Sequence, residues 1–240
     1  MPSLSIDACQ QCSAAVNAAA GLLQVREAML LKQLLRNASS YLEWGAGTST
    51  VLALTTMHRQ GVVHTIENQD GWCGVMNTRT DMRCIHACTE RPSRFQLHCV
   101  RDGAQLAGYH FDRNLSLHSV PRPYNGAVKF SGQEVVPARE HGFHYVRLAA
   151  DLQDTFDLIL VDGRWRVACA MQAWLLANEK TTVLFHDWGR KEYHSPTLNH
   201  FKVVDKVGQL AVLKPKHSEH AKKREVVWSD LLSALDAQGP

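Results

Sequence analysis

Two spacings of apolar residues divide the chain into helical and extended stretches. From Ala14 to Asn37 the apolar positions recur at helical spacing, with Leu22, Leu23, Val25, Met29, Leu30, Leu31, Leu34 and Leu35 crowding one broad face. A short strand follows at Ser40 to Trp44, then a helical stretch from Val51 to Arg59 and a second apolar run from Val62 to Ile66 that ends in Glu67. Further runs predict strands at Phe95 to Val100, Phe156 to Val161 and Thr181 to Phe185, with a helix from Val167 to Asn178. The last two runs, Phe201 to Val207 and Gln209 to Lys214, close around Gly208 and read as an antiparallel hairpin. Val226 to Leu235 forms an amphipathic helix with Trp228, Leu231, Leu232 and Leu235 on its apolar side, suited to core or dimer packing. Strands alternating with helices predict an α/β fold with a parallel sheet.

Between the third and fourth of these strands the pattern lapses. Residues 101–144 hold no long periodic run and collect Gly103, Gly108, Pro121, Pro123, Gly126, Gly132 and Pro137. Long irregular stretches in compact domains serve as lids or binding loops. Tyr109, His110, Phe111, Arg122, Tyr124, Lys129 and Phe130 give this one the aromatic and basic groups to cover a polar ring or an anionic acceptor.

The sequence Tyr41-Leu42-Glu43-Trp44-Gly45-Ala46-Gly47-Thr48-Ser49-Thr50 joins the first strand to a helix through a glycine turn. Gly45 and Gly47 let backbone approach a ligand without a Cβ in the way, while Thr48, Ser49 and Thr50 offer hydroxyls and N–H groups at a helix N-terminus. Glu67 lies about twenty residues on, the interval at which α/β nucleotide sites place a ribose-binding carboxylate. Glu43 would repel a pyrophosphate. The Glu-x-Gly-x-Gly arrangement resembles motif I of the class I S-adenosylmethionine (SAM)-dependent methyltransferases, whose cofactor carries a cation and no phosphate. Coulomb attraction then favours the acid.

The resemblance extends over roughly residues 20 to 215. Phe156-Asp157-Leu158-Ile159-Leu160-Val161-Asp162-Gly163 and Thr181-Thr182-Val183-Leu184-Phe185-His186-Asp187-Trp188 are similar to the fourth and fifth strands of that family, in the style of its small-molecule O-methyltransferases. It implies a doubly wound, Rossmann-like, mostly parallel seven-stranded sheet with helices on both faces and the C-terminal antiparallel hairpin. The expected organisation is one domain over 1–240, with a helical leader at 1–38, the lid at 101–144 and a basic tail with the terminal helix at 215–240. SAM would be held by Glu43, Gly45, Ala46, Gly47, Thr48, Ser49, Thr50, Glu67 and Asn68, with Trp72 on the adenine side. Arg164, Arg166, Arg190 and Tyr193 would orient an acceptor group.

Methyl transfer needs alignment of acceptor and methyl, and an oxygen acceptor also needs a base. Asp162, His186 and Asp187 stand at adjacent strand ends and are the expected catalytic set, with His186 titrating in the range suited to a hydroxyl proton. Catechol-type O-methyltransferases, which the chain resembles at the same strand ends, hold Mg²⁺ with acids matching Asp162 and Asp187. Their next ligand is an asparagine, whereas Trp188 stands here, so the metal-free version is preferred.

Composition narrows the rest. The chain has 240 residues, 45% hydrophobic and 20% charged, with a formal net charge of +3, which suits one ordinary globular domain and no nucleic-acid partner. No window is long and apolar enough to span a membrane, and the start lacks the regions of a secretory signal, so a cytoplasmic location is expected. Seven cysteines without framework spacing are expected to be reduced, Cys9 and Cys12 included. The expected acceptor is a small hydroxylated molecule or a sugar. A nicotinamide-dependent oxidoreductase would share the strand, turn and acid, but Glu43, Thr50 and the lack of a Tyr-x-x-x-Lys pair oppose it. A binding module that keeps the fold without turnover is the third class.

Overall fold

The computed structural model describes residues 23–79, 82, 94–101, 115–119, 128–130, 133–135, 138–152, 155–216 and 220–237. The strands are β1 (Ser40–Trp44), β2 (Val62–Glu67), β3 (Phe95–Arg101), β4 (Leu115–Ser119), β5 (Val128–Phe130), β6 (Gln133–Val135), β7 (Leu158–Val161), β8 (Thr182–Phe185), β9 (Phe201–Val207) and β10 (Leu210–Pro215). The helices are α1 (Val25–Leu35), α2 (Thr48–Thr56), α3 (Asp70–Thr78), α4 (Ala138–Asp151), α5 (Arg166–Leu176), α6 (His194–His200) and α7 (His220–Ala237).

The main sheet runs β4-β3-β2-β1-β7-β8-β10-β9. Seven of these strands form the expected mostly parallel sheet with its antiparallel β9–β10 hairpin, and β4 adds an eighth at the edge beside β3. β5 and β6 make a separate two-stranded ribbon. Thus residues 101–144 are not wholly irregular. They contain β4, β5, β6 and the first half of α4, whose short elements are interrupted by the glycines and prolines that hid them.

Strand β1 pairs in parallel with β2 on one side and β7 on the other. Chain order reverses between β1 and β7, and their carboxyl ends part there to leave the crevice of an open α/β sheet. Both faces of the central strands are buried, which is why they read as continuous apolar runs. Alternate side chains serve opposite cores: Leu42, Trp44, Ile159, Val161, Val183 and Phe185 face α4, α5 and α7. Tyr41, Leu158, Leu160 and Leu184 face α1, α2 and α3.

α1 buries Glu27, Leu31 and Leu35, spaced four apart, but turns Val25 and Met29 to solvent. The broad apolar face expected of the leader is therefore narrower, and its residues 1–22 lie outside the described part. α7 packs Val227, Leu231 and Leu235 into the core against α5, while Leu232 is exposed. Its packing is intramolecular.

Cys73 on α3 and Cys99 on β3 form a disulfide across 26 residues, with both side chains buried. This overturns the expectation that all the cysteines are reduced. The reason is tertiary: α3 crosses over β3 and brings the two Cα atoms to 6.2 Å, which sequence spacing does not reveal. Among the described residues no helix is long and apolar enough to cross a membrane.

Candidate functional site

The glycine turn is fixed from three directions. Gly45 has φ +97°, and its N–H donates to the carbonyl of Ile66 at 2.8 Å. A Cβ on Gly45 would meet the Gly163 backbone at 2.9 Å, so the β1 and β7 turns touch through glycine alone. Tyr145, buried behind them, places its hydroxyl where a Gly163 side chain would go. Third, Ala46 N–H donates to Glu67 Oε2 at 3.0 Å, while Asn68 and Gln69 N–H groups donate to Glu67 Oε1 at 2.8 and 2.7 Å. Burial raises the Glu67 carboxyl above its ordinary value, against those three N–H groups and the charge of Arg164.

Glu43 does not reach the crevice. The alternation of β1 points it to the same face as Tyr41, beneath the turn, directly opposite Thr65 in the β1–β2 register, and it is fully buried. It accepts from Tyr41 Oη at 2.9 Å, Thr65 Oγ1 at 2.7 Å and the hydroxyl of Thr50. Thr50 Oγ1 accepts the Gly47 N–H at 2.9 Å in turn. The acid therefore supports the turn from below, through a threonine, and the expected direct contact with cofactor is corrected for both Glu43 and Thr50. Desolvation raises Glu43 to about 7, although hydroxyls of Ser49, Thr50, Thr65 and Tyr41 pull the other way.

A cleft of about 330 Å³ opens above the turn. Gly45, Ala46, Gly47, Thr48 and Ser49 form its floor, Glu67, Asn68, Gln69 and Trp72 one wall, and Asp162, Gly163, Arg164, Arg166 and His186 the other, with Leu23 at the edge. Trp72 is fixed by donating its indole N–H to the Ala46 carbonyl at 2.6 Å. Of the expected cofactor residues, all but Glu43 and Thr50 line this space.

The expected catalytic residues come together, but not as three groups facing an acceptor. His186 Nδ1 lies 2.9 Å from Asp162 Oδ1 and 3.6 Å from Asp187 Oδ1, and Nε2 lies 3.5 Å from Glu27 Oε2. Burial lowers the imidazole, yet the hydrogen bond and charge of Asp162 and the charges of Asp187 and Glu27 outweigh it, so His186 titrates above its ordinary value. Asp162 and His186 line the cleft; Asp187 does not. Asp187 instead pairs with Arg166 and with Arg190 at 3.4 Å. Burial would raise its carboxyl, but Arg166 above all, then His186 and Arg190, hold it below the ordinary range. Trp165 and Asp187 are the two non-glycine residues with left-handed backbone among those described, and they flank this cluster.

Glu27 is the member that the sequence did not announce. It sits in the first turn of α1, 1% exposed, and accepts Gln24 N–H at 3.0 Å and Gln209 N–H at 2.6 Å. Its local role is that of a helix-start acid. Its partners are His186, just after β8, and Gln209 in the β9–β10 turn, so only the fold reveals its place.

The residues do not fit Mg²⁺. Such an ion needs several oxygens on an octahedron at about 2.1 Å, whereas Asp162 and Asp187 converge on the Arg166 guanidinium. Trp188, where an amide ligand would stand, is 5% exposed and packs edge-on against Phe185.

No protein-family model and no curated protein matches the chain. Among solved structures it resembles a methyltransferase-like protein from Silicibacter pomeroyi, with a TM-score of 0.59 and 19% identity, covering 91% of this chain and 97% of that one. It also resembles the O-methyltransferase TomG from Streptomyces achromogenes, solved in complex with SAM, with a TM-score of 0.50 and 12% identity over 90% of this chain and 92% of that one. The chain has the fold of the class I SAM-dependent methyltransferases.

Proposed function

We propose that this protein is a SAM-dependent methyltransferase that transfers a methyl group to a hydroxyl of a small molecule or a sugar. The observation that carries the reading is the joining of the glycine turn to Glu67 through the Ala46 N–H, at the crevice between β1 and β7. That bond ties Glu67 and the turn into one unit. The TomG complex with SAM supports the choice of cofactor.

In this reading Gly45 to Ser49 bear the methionyl end, Glu67 accepts from the ribose hydroxyls, and Trp72 lies along the adenine. SAM supplies a methyl group already activated by its sulfonium. The protein holds the acceptor oxygen in line with that methyl and takes the hydroxyl proton at the Asp162–His186 pair on the opposite wall. A small acceptor suits a cleft of about 330 Å³.

Calorimetric titration with SAM and S-adenosylhomocysteine tests the cofactor. Acceptors are then screened by the S-adenosylhomocysteine they release. NAD binding in place of both sulfur ligands would promote the oxidoreductase.

A further inference from the structure

The acids that end β7 and β8 share one cation, and it belongs to the chain. Arg166, the first residue of α5, is 15% exposed in its side chain. Its Nη2 lies 3.2 Å from Asp162 Oδ1 and donates to the Asp162 carbonyl, also at 3.2 Å. Its Nη1 donates to Asp187 Oδ2, and its Nε donates to the Gly163 carbonyl at 2.9 Å. A planar guanidinium with five N–H donors matches this fork of carboxylates and carbonyls. The left-handed backbone of Asp187, φ +59°, turns its carboxylate toward the fork.

We propose that Arg166 is a built-in cation occupying the seat between the two strand ends, where it positions Asp162 toward the acceptor oxygen and makes the site independent of divalent metal. The positioning half rests on the methyl-transfer reading; the occupied seat stands on the ion pairs alone. Three consequences follow from charge and geometry. Each carboxylate is paired with the guanidinium, which lessens the repulsion that an incoming acceptor anion meets. Their oxygens are spread around a guanidinium and cannot converge on a small ion. The acceptor proton must then leave to a protein group: the methyl carbon–sulfur bond breaks with its electron pair going to sulfur, a carbon–oxygen bond forms, and the hydroxyl proton passes to the Asp162–His186 pair. Arg166 is thus a positioning residue, acting through Asp162.

The test is a Mn²⁺ titration of the full chain followed by electron paramagnetic resonance. The wild type and Arg166→Lys, both with a cation in the seat, are expected to leave the spectrum of free Mn²⁺ unchanged at millimolar metal. Arg166→Ala is expected to bind Mn²⁺ and to lose it again when Asp187→Asn is added. Arg166→Gln, which keeps most of the side chain, serves if the alanine variant fails to unfold cooperatively. Mn²⁺ bound by the wild type and lost in Asp187→Asn overturns the proposal, as does a cooperatively folded, cation-free variant that binds none. These outcomes do not involve SAM, so they stand apart from the cofactor titration, whose failure would remove the methyl-transfer reading and leave the seat decided.

Discussion

Glu67 accepts the N–H of Ala46 at 3.0 Å across 21 residues of sequence. One carboxylate thereby closes the glycine turn and forms part of the cleft wall, so the shape of the cleft depends on it twice.

Glu43 makes the stability of the fold depend on pH. In the unfolded chain its carboxyl ionises near 4.5, but in the fold near 7, because burial disfavours the charge. Between those values the unfolded state releases a proton that the folded state keeps. Stability therefore falls as pH rises from about 4.5 to about 7 and is flat above, by about 3 kcal/mol. Glu43→Gln is expected to remove this share of the slope and leave that of His186, measured by chemical denaturation at pH 5 and pH 8. An unchanged slope would place the pH dependence elsewhere.

His186 acts in the same direction for the opposite reason, since here the fold favours the charged form. Asp162, Asp187 and Glu27 favour its charged form, so its stabilising contribution is complete below the ordinary value of 6.5 and is lost as pH rises through the higher folded value. An NMR titration should find its midpoint above 6.5, and Asp162→Asn should lower it more than Asp187→Asn, because Asp162 supplies both the hydrogen bond and the nearest charge. Since only the neutral ring takes a proton, methyl transfer should rise with pH through the same midpoint.

Gly163 cannot take a side chain. An alanine Cβ would strike the Tyr145 hydroxyl and lie 3.0 Å from Trp44 backbone, so Gly163→Ala is expected to cost about 1–3 kcal/mol. The Tyr145 hydroxyl has no hydrogen-bond partner among the described residues. Tyr145→Phe should therefore stabilise the protein by about 1 kcal/mol and recover part of the loss in the double variant. Equal losses in the single and double variants would show that the hydroxyl is not the obstacle.

The Cys73–Cys99 bond closes a loop of 26 residues. Replacing both cysteines by serine should cost about 3–4 kcal/mol in the chain-entropy picture, read as a lowered denaturation midpoint. Because Trp72 precedes Cys73 on α3 and forms a cleft wall, SAM affinity should weaken as well.

The local part of this architecture was legible in the sequence. β1 coincides with its predicted bounds, and the β9–β10 hairpin turns at Gly208, because short-range signals govern strands and tight turns. The acid and glycine turn were also readable, since the distance between them is set by one βαβ unit. Glu43 was misplaced because motif spacing says nothing of the face a strand residue takes; alternation from buried Tyr41 does. Glu27, Arg166 as a cation between two acids, and the disulfide depend on contacts between distant elements, for which single-sequence pattern carries no signal. Residues 101–144 concealed β4 and the start of α4 because short edge elements broken by glycine and proline have no period to detect.

The central claim is that the turn joined to Glu67 holds SAM. Calorimetric titration of the wild type and Glu67→Ala with S-adenosylhomocysteine tests it most directly. The account predicts micromolar binding that the variant weakens by about a hundredfold, equivalent to ~3 kcal/mol for the lost ribose contacts and loosened turn. Binding that is equal in the two proteins, or absent from the wild type for both sulfur ligands, would contradict it.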